Sequence, residues 1–158
     1  MREPAGPLSC GREGTGCKAS SLLRPRMKLM MPDRAVAAEG KNSLRVRAGI
    51  IESVWRPGSF VDVEDARDAM LAVERISGGI PMPMLSEMSD VEITAAARYE
   101  FARTTGVLAI AVLGSNAVDR VIAAAMSRHT HYPHAFFTSR SAAMIWLTDV
   151  TSLEPRGQ

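Results

Sequence analysis

The chain has 158 residues, of which 46% are hydrophobic, so it can build a core without disulfide bonds. Its longest uninterrupted apolar run, Val107–Leu113, is far shorter than the roughly 20 residues of a membrane-spanning helix, which argues against a membrane protein. The net charge of +2 is unevenly placed, because residues 1–41 hold eight Lys or Arg against four Asp or Glu and the remainder is slightly acidic. Without a basic stripe in that remainder, nucleic-acid binding is disfavoured.

Residues 1–42 mix Gly, Pro, Ser, Arg and Lys without a period of 2 or 3.6, which predicts a disordered basic tail. Both cysteines, Cys10 and Cys17, lie in this tail, and two cysteines alone do not make a zinc site. The tail also lacks the apolar stretch of a secretory signal. It is explained either by a transit peptide or by a start codon that is assigned too far upstream, and we favour the start codon. A remainder without cysteine favours a cytoplasmic protein.

Regular patterns begin at Ser43. Alternating apolar residues and a run that ends at Trp55 predict two short strands. Asp62 and Asp65 have the spacing of a capping box, which predicts the start of a helix that two consecutive glycines end at residues 78 and 79.

A third strand is predicted at residues 80–85, with its two prolines at the strand entrance. Residues 86–93 are predicted to be a polar connection, and Thr94 is predicted to cap a second helix that ends near Gly106. The apolar run Val107–Leu113 is too short for a buried helix and predicts a central strand covered on both faces.

Gly114 opens the turn into a third helix, for which we predict Ser115 as the N-cap. The buried stripe of this helix is predicted to be Val118, Val121, Ile122, Ala125 and Met126. A short strand at 135–137 and a helix capped by Thr138 or Ser139 complete the pattern, and residues 151–158 are expected to be frayed. Strands that alternate with helices require parallel crossovers, so the predicted fold class is α/β.

The end of this pattern resembles the end of SpoIIAA-like (STAS) domains, in which a short strand precedes a helix with a Trp-Leu pair, here at residues 146 and 147. The sequences Trp-Arg-Pro-Gly at 55–58, Asp-Ala at 65–66, Ala-Arg-Tyr-Glu-Phe-Ala at 97–102 and Ala-Ile-Ala at 109–111 resemble an uncharacterised actinobacterial STAS-like family. The likeness covers residues 43–150. It implies a mixed sheet of four to five strands, about four helices mainly on one face, no known enzymatic activity and no cofactor.

STAS domains of the anti-sigma-factor antagonist type bind a kinase and are phosphorylated on a Ser within Asp-Ser-Ser-Gly. The matching place here has no Ser-Gly pair but holds the hydroxyls of Ser89 and Thr94, with Glu87 and Asp90 beside them. The negative charge already present there disfavours a phosphate. We therefore expect Thr94 to act as a plain N-cap rather than as a regulatory hydroxyl. The resemblance implies a non-enzymatic interaction or regulatory module that meets a partner protein or its own copy around residues 89–94.

Two other places keep a ligand-binding or enzymatic alternative open. The turn formed by Gly114, Ser115 and Asn116 can offer backbone N–H groups to a phosphate or nucleotide, although it lacks a glycine-rich motif. The histidines at 129, 131 and 134 can bind a metal ion if their loop curls so that the three side chains converge. A proline-containing loop is nevertheless an unusual place for metal ligands, which mostly lie on rigid elements.

The three weak metal candidates are therefore His129, His131 and His134. The sequence after residue 42 shows no activated nucleophile and has no lysine, which excludes a lysine Schiff base there. A purely structural homodimer is a third alternative.

Overall fold

The computed structural model describes residues 32–153, in which groups of one to four strands alternate with single α-helices. The strands are β1 (Arg34–Ala37), β2 (Asn42–Arg47), β3 (Ile50–Trp55), β4 (Phe60–Val61), β5 (Met82–Glu87), β6 (Glu92–Ile93), β7 (Val107–Leu113) and β8 (His134–Phe137). The helices are α1 (Val63–Ser77), α2 (Ala95–Ala102), α3 (Ala117–Ser127) and α4 (Arg140–Leu153).

The main sheet is mixed and has the strand order β1-β2-β3-β5-β7-β8. Its first three strands are antiparallel, whereas β3, β5, β7 and β8 are parallel neighbours. A separate two-stranded parallel ladder joins β4 to β6. The predicted α/β class with a mixed sheet and four helices is confirmed, and the described residues contain more strands than the four to five predicted.

The two faces of the sheet carry different helices. On one face, α1, α2 and α3 pack on a core that includes Ile110 and Val112 of β7. On the other face, α4 packs through Ala143 against Ala109 and Ala111 of the same strand. The prediction of a central strand covered on both faces is therefore confirmed for β7, whose alanines let a helix approach closely.

The ladder between β5 and β7 contains one irregularity. Between the pairs Met82–Val107 and Met84–Ile110, β7 has one residue more than β5. This extra residue brings Val107 and Ile110 to the same face of the sheet, in the core under α1. Pro83 lies at this interruption, near the strand entrance as expected, where a missing N–H does least harm.

The helix caps follow the predicted spacing at the first two helices. The Asp62 carboxylate accepts a hydrogen bond from the backbone N–H of Asp65 at 2.9 Å, and the reciprocal bond completes the capping box of α1. Gly78 ends α1 in the left-handed conformation, with φ of 64°. Thr94 caps α2 by accepting from the N–H of Ala97 at 3.2 Å.

The folded unit begins earlier than predicted. β1 lies inside the segment predicted to be a disordered tail, and the N–H of Ala38 donates to the Asp68 carboxylate of α1 at 2.7 Å. The prediction is therefore wrong for residues 34–42, because β1 is held by pairing with β2 and has no apolar period of its own. Residues 1–31 of the predicted tail lie outside the described residues.

The predictions about α3 are wrong for its N-cap and for half of its buried stripe. The N-cap is Asn116 and not Ser115, because the Asn116 side chain accepts from the N–H groups of Val118 and Asp119. The stripe is confirmed at Met126, which is buried, and Ile122 and Ala125 are half-buried. Val118 is instead 66% exposed and Val121 67% exposed, and the helix buries Asp119 and Ala123 in their place. The helix is rotated in this way because Asp119 has hydrogen-bonding partners on the protein side.

The predicted fraying after Val150 is wrong for residues 151–153, because α4 continues to Leu153. The hydroxyl of Thr151 donates to the backbone carbonyl of Leu147 at 2.7 Å, and the hydroxyl of Ser152 donates to the backbone carbonyl of Thr148. Because both hydroxyls bond to the preceding turn, these polar side chains fit within the helix. Residues 154–158 lie outside the described residues.

Candidate interaction site at the carboxyl ends of the parallel strands

Strands β3, β5, β7 and β8 are parallel, so their carboxyl ends lie at one edge of the sheet. In open α/β sheets, binding sites form in the connections that follow this edge. The connections here are residues 56–59, 88–91, 114–116 and 138–139. We call their exposed residues, together with Phe60 of β4 and Val118 of α3, the carboxyl-edge surface. Two residue sets predicted separately, 87–94 and 114–116, thus meet at one edge.

Backbone hydrogen bonds join these connections to one another. The N–H of Gly58 donates to the carbonyl of Asp90 at 2.7 Å, and the N–H of Glu92 donates to Ser59 at 2.9 Å. The N–H of Met88 donates to Leu113 at 2.8 Å. Because each connection is held by another, the loop after β5 has a fixed shape although Asp90 is exposed.

Asp119, at the start of α3, links the same connections through its side chain. Its carboxylate accepts from the N–H of Ser115 at 2.7 Å, the N–H of Asn116 at 3.2 Å and the N–H of Asp90 at 3.1 Å. Burial raises the pKa of Asp119, but these hydrogen bonds outweigh it and hold the pKa below the ordinary value of 3.8. Asp119 is therefore ionised near neutral pH and acts as a structural acceptor.

The predicted anion-binding turn is disfavoured by this arrangement. The N–H groups of Ser115 and Asn116, which a phosphate would need, already donate to Asp119. Gly114 leaves no extra space, since a Cβ there would lie 2.6 Å from the Phe136 ring and 2.7 Å from the Asp119 Cβ. The N–H groups of the turn therefore bind the carboxylate of Asp119 and not an external anion. Sequence reasoning missed Asp119, although its spacing from Asn116 is that of a capping box.

The predicted hydroxyls differ in what they do. Thr94 is half-buried and acts as the N-cap of α2, as expected. Ser89 is half-buried beside Asp90, whose φ of 55° lies in the left-handed region. A non-glycine residue in that region is mildly strained and persists when its surroundings fix it, as the bonds from Gly58 and to Asp119 do here.

Glu87 faces the opposite side of the sheet from the core under α1. It lies 3.7 Å from the guanidinium of Arg140, which also donates to the buried carboxylate of Glu52 at 2.6 Å. Arg45 donates to the same Glu52 side chain. This network ties the start of α4 to β2, β3 and β5, so Glu52 and Glu87 act as structural ion-pair partners. A lone Glu within the apolar run of β3 was the available signal for Glu52.

The three histidines do not come together on a metal. His129 and His131 are exposed in the loop before β8, whereas His134 is half-buried in β8 itself. Burial lowers the pKa of His134 to about 4, so its imidazole is neutral at pH 7. Between residues 32 and 153, no group of three or more His, Cys, Asp or Glu side chains is arranged to hold a metal ion.

A family model described as a domain of unknown function, DUF7793, matches residues 44–151. The chain belongs to this family. Among solved structures, it is similar to an uncharacterised protein of the DUF3478 family with a SpoIIAA-like fold from Shewanella loihica PV-4. That likeness has 14% identity and a TM-score of 0.47, and covers 67% of this chain and 91% of the other.

No curated protein matches the chain significantly. Within the described helices, none is long and apolar enough to cross a bilayer.

Proposed function

We propose that this chain is a cytoplasmic, non-enzymatic interaction module whose carboxyl-edge surface binds a partner protein or a second copy of the chain. The observation that carries the proposal is the exposed loop around Asp90. It is held in one shape by the bond from the N–H of Gly58 to the Asp90 carbonyl, by the bond from the N–H of Glu92 to Ser59, and by Asp119. An exposed loop that is fixed before binding loses little conformational entropy on binding, which favours affinity.

The composition of the surface supports the same function. Phe60 is 50% exposed and Val118 is 66% exposed, so apolar side chains are available as anchors. Asp90 and Glu92 are exposed in the loop between β5 and α2, where they can form a charged rim. An apolar centre with a polar rim is the usual anatomy of a protein interface, and the acidic rim favours a partner with Arg or Lys.

Catalysis is disfavoured because the serine hydroxyls lie far from the histidines. The Ser115 hydroxyl donates to the Asp119 carboxylate at 3.2 Å, but the lowered pKa of Asp119 makes this carboxylate a weak base. Ser89, Ser115 and Ser139 lie at the carboxyl ends of the strands. His134 opens β8 at the other end of the sheet, and His129 and His131 precede it. A hydroxyl nucleophile needs a base within hydrogen-bonding distance.

Two buried carboxylates are also already bound by other groups of the protein. Glu52 is bound by two arginines, and Asp119 accepts from three backbone N–H groups. Of the two predicted regulatory hydroxyls, Thr94 is used as a cap, which leaves Ser89 as the candidate for regulation at this surface. A phosphate on Ser89 would add charge beside Asp90 and weaken binding to an apolar anchor site.

A pair of matched substitutions tests the proposal. Val118→Asp places a charge in the carboxyl-edge surface, and Val36→Asp places one on β1, at a residue that is also 66% exposed. We expect Val118→Asp and Phe60→Asp to reduce the complex of the tagged full-length chain at least tenfold, measured by light scattering for a homodimer and by quantified co-purification for a partner. Val36→Asp should leave it unchanged.

Circular dichroism and thermal unfolding must show that all three variants are folded. Equal loss in all three, or a chain that forms no complex with itself or with any protein, would overturn the proposal.

A further inference from the structure

A small cavity lies between the main sheet and the helices α1 and α2, beneath the buried side of the connection after β5. Its volume is about 30 Å³, which is enough to hold at least one water molecule. Most of its wall is apolar, with Trp55 of β3, Met84 of β5, Val73 of α1 and Phe101 of α2. The remaining wall is polar, which is unusual for a void in a hydrophobic core.

Three polar side chains on neighbouring strands form that wall. Asn42, Ser53 and Ser86 are 1%, 2% and 6% exposed, and all three line the cavity. Ser53 and Ser86 are register partners, and the Ser53 hydroxyl donates to the Asn42 carbonyl oxygen at 3.1 Å. The side chains of Asn42 and Ser86 face the cavity, so their polar groups are able to hydrogen-bond to a molecule that enters it.

The cavity adjoins an open groove between α1 and the segment that follows α2. Met70, Val73 and Thr104 line both spaces. The groove has a volume of about 810 Å³, which lies in the range of small-molecule sites. Met70 is half-buried, and an unbranched methionine can move aside at low cost, so the groove offers a route to the polar wall.

The charges around this route indicate what it accepts. The residues that line the cavity are all uncharged. In the groove, the Arg67 and Arg103 guanidinium groups lie 3.3 Å and 4.0 Å from the Glu100 carboxylate, so these charges are largely balanced. An ionised group entering the cavity would lose its hydration without a counter-charge.

We propose that the groove and the cavity form a binding site for a small, uncharged, mainly apolar molecule with one hydrogen-bonding end. The apolar part lies between Met70 and Trp55, and a hydroxyl or carbonyl of the ligand satisfies Asn42 and Ser86. Water fills the polar end in the absence of ligand, and the methionines move to admit a longer chain. The groove opens at the amino ends of β5 and β7, next to Pro81 and Gly106, and the cavity extends from there to Ser86 and Met88 at the carboxyl end of β5.

Bromoalkanols provide a direct probe, because bromine quenches tryptophan fluorescence on contact. The chain has two tryptophans, and Trp146 packs against Phe137 on the other face of the sheet. In the full-length Trp146→Phe variant, 6-bromohexan-1-ol should quench Trp55 saturably, whereas in Trp55→Phe it should quench Trp146 only in proportion to its concentration. Affinity should rise about fourfold per methylene from 4-bromobutan-1-ol to 6-bromohexan-1-ol.

Control variants distinguish binding in the cavity from binding to other apolar surfaces of the protein. In the Trp146→Phe background, Ser86→Leu fills the polar end and Met70→Phe narrows the entrance, and each should weaken binding at least tenfold. Ser43→Ala changes a serine on the opposite face of β2 and should have no effect. The anion 6-bromohexanoate should bind at least tenfold more weakly than the alcohol.

Two results would overturn the proposal. The first is the absence of saturable quenching of Trp55 in a folded protein. The second is binding that neither Ser86→Leu nor Met70→Phe weakens, which would place the ligand elsewhere.

Discussion

At the scale of single residues, Asp119 connects the turn before α3 with the loop after β5. We predict that Asp119→Asn lowers the free energy of unfolding by about 2 kcal/mol at pH 7, because hydrogen bonds to a charged acceptor are lost and buried N–H groups lose their partner. Urea denaturation measures this change. The exposed Asp149→Asn, on α4, is the matched control and should change the free energy of unfolding by less than about 0.5 kcal/mol.

The effect of Asp119 depends on pH in a defined direction. Its pKa in the folded protein lies below the ordinary value of 3.8, so its stabilising contribution is complete above that pH. The contribution is lost as the pH falls from there through the lower folded pKa. The gap in stability between wild type and Asp119→Asn should therefore shrink when the pH is lowered from 5 to 2.5. A gap that stays constant would contradict the structural role of the charge.

His134 is a second residue whose charge state is linked to folding. Its pKa is lowered by burial from 6.5 to about 4, and among the described residues its Nε2 atom has no hydrogen-bonding partner. The unfolded chain therefore binds a proton on this residue below pH 6.5 while the folded chain does not until about pH 4. Stability from neutral His134 is complete above pH 6.5 and falls between those two values.

We predict that His134→Leu removes much of the loss of thermal stability between pH 7 and pH 4.5, measured as Tm by circular dichroism. The exposed His131→Leu is the matched control and should keep the wild-type pH dependence. Equal pH profiles for His134→Leu and wild type would show that other groups cause the loss.

At this scale, the sequence predicts contacts within a turn better than contacts between turns. The capping roles of Asp62 and Thr94 follow from spacing alone. The choice of Asn116 over Ser115 was also available from spacing, because Asp119 stands three residues after Asn116 as in a capping box. The bond from the N–H of Asp90 to Asp119, 29 residues away, was not, because local spacing holds no information on such a partner.

At the scale of elements, two glycines flank β7 and give a matched pair of substitutions. A Cβ on Gly114 would lie 2.6 Å from the Phe136 ring, whereas a Cβ on Gly106 would meet Thr104 and Val73 at ordinary distances of 3.8 Å. We predict that Gly114→Ala lowers the free energy of unfolding by about 2 kcal/mol, the usual cost of overpacking. Gly106→Ala should change it by less than about 1 kcal/mol. Comparable urea midpoints for the two variants would contradict the close packing at Gly114.

β1 provides a test of where the folded unit begins. A chain that starts at Ser43 lacks the pairing of β1 with β2 and the hydrogen bond from Ala38 to Asp68. We predict that it unfolds at a lower urea concentration than a chain that starts at Pro32, by at least about 2 kcal/mol in the free energy of unfolding. Equal stability of the two chains would show that β1 contributes nothing to the fold.

The elements that the sequence pattern does not predict are short strands. β4 and β6 have two residues each, and β1 has four, so none is long enough to show a period. They exist because a neighbouring strand supplies hydrogen bonds, as Phe60–Glu92 pairing does for β4 and β6. Longer elements carry their own signal, which is periodicity between two caps for α1 and an uninterrupted apolar run for β7, and both have the predicted bounds.

At the scale of the whole molecule, the α/β class follows from the alternation of strands and helices, but the order of strands does not. That order decides that the connections after β3, β5, β7 and β8 share an edge, and so that Ser89 and Ser115 belong to one surface. The division of helices between the two faces is equally hidden, because β7 is apolar on both, with Ile110 and Val112 on one face and Ala109 and Ala111 on the other.

The most direct measurement of the central claim is site-specific photo-crosslinking in living cells. A benzophenone amino acid replaces Phe60, Val118 or Val36 in the full-length chain, and each crosslinked product is identified by mass spectrometry. If the carboxyl-edge surface binds a partner, positions 60 and 118 will give the same product, either one partner protein or a second copy of the chain, and position 36 will not. Products from position 36 alone, or from none of the three positions, would contradict the claim.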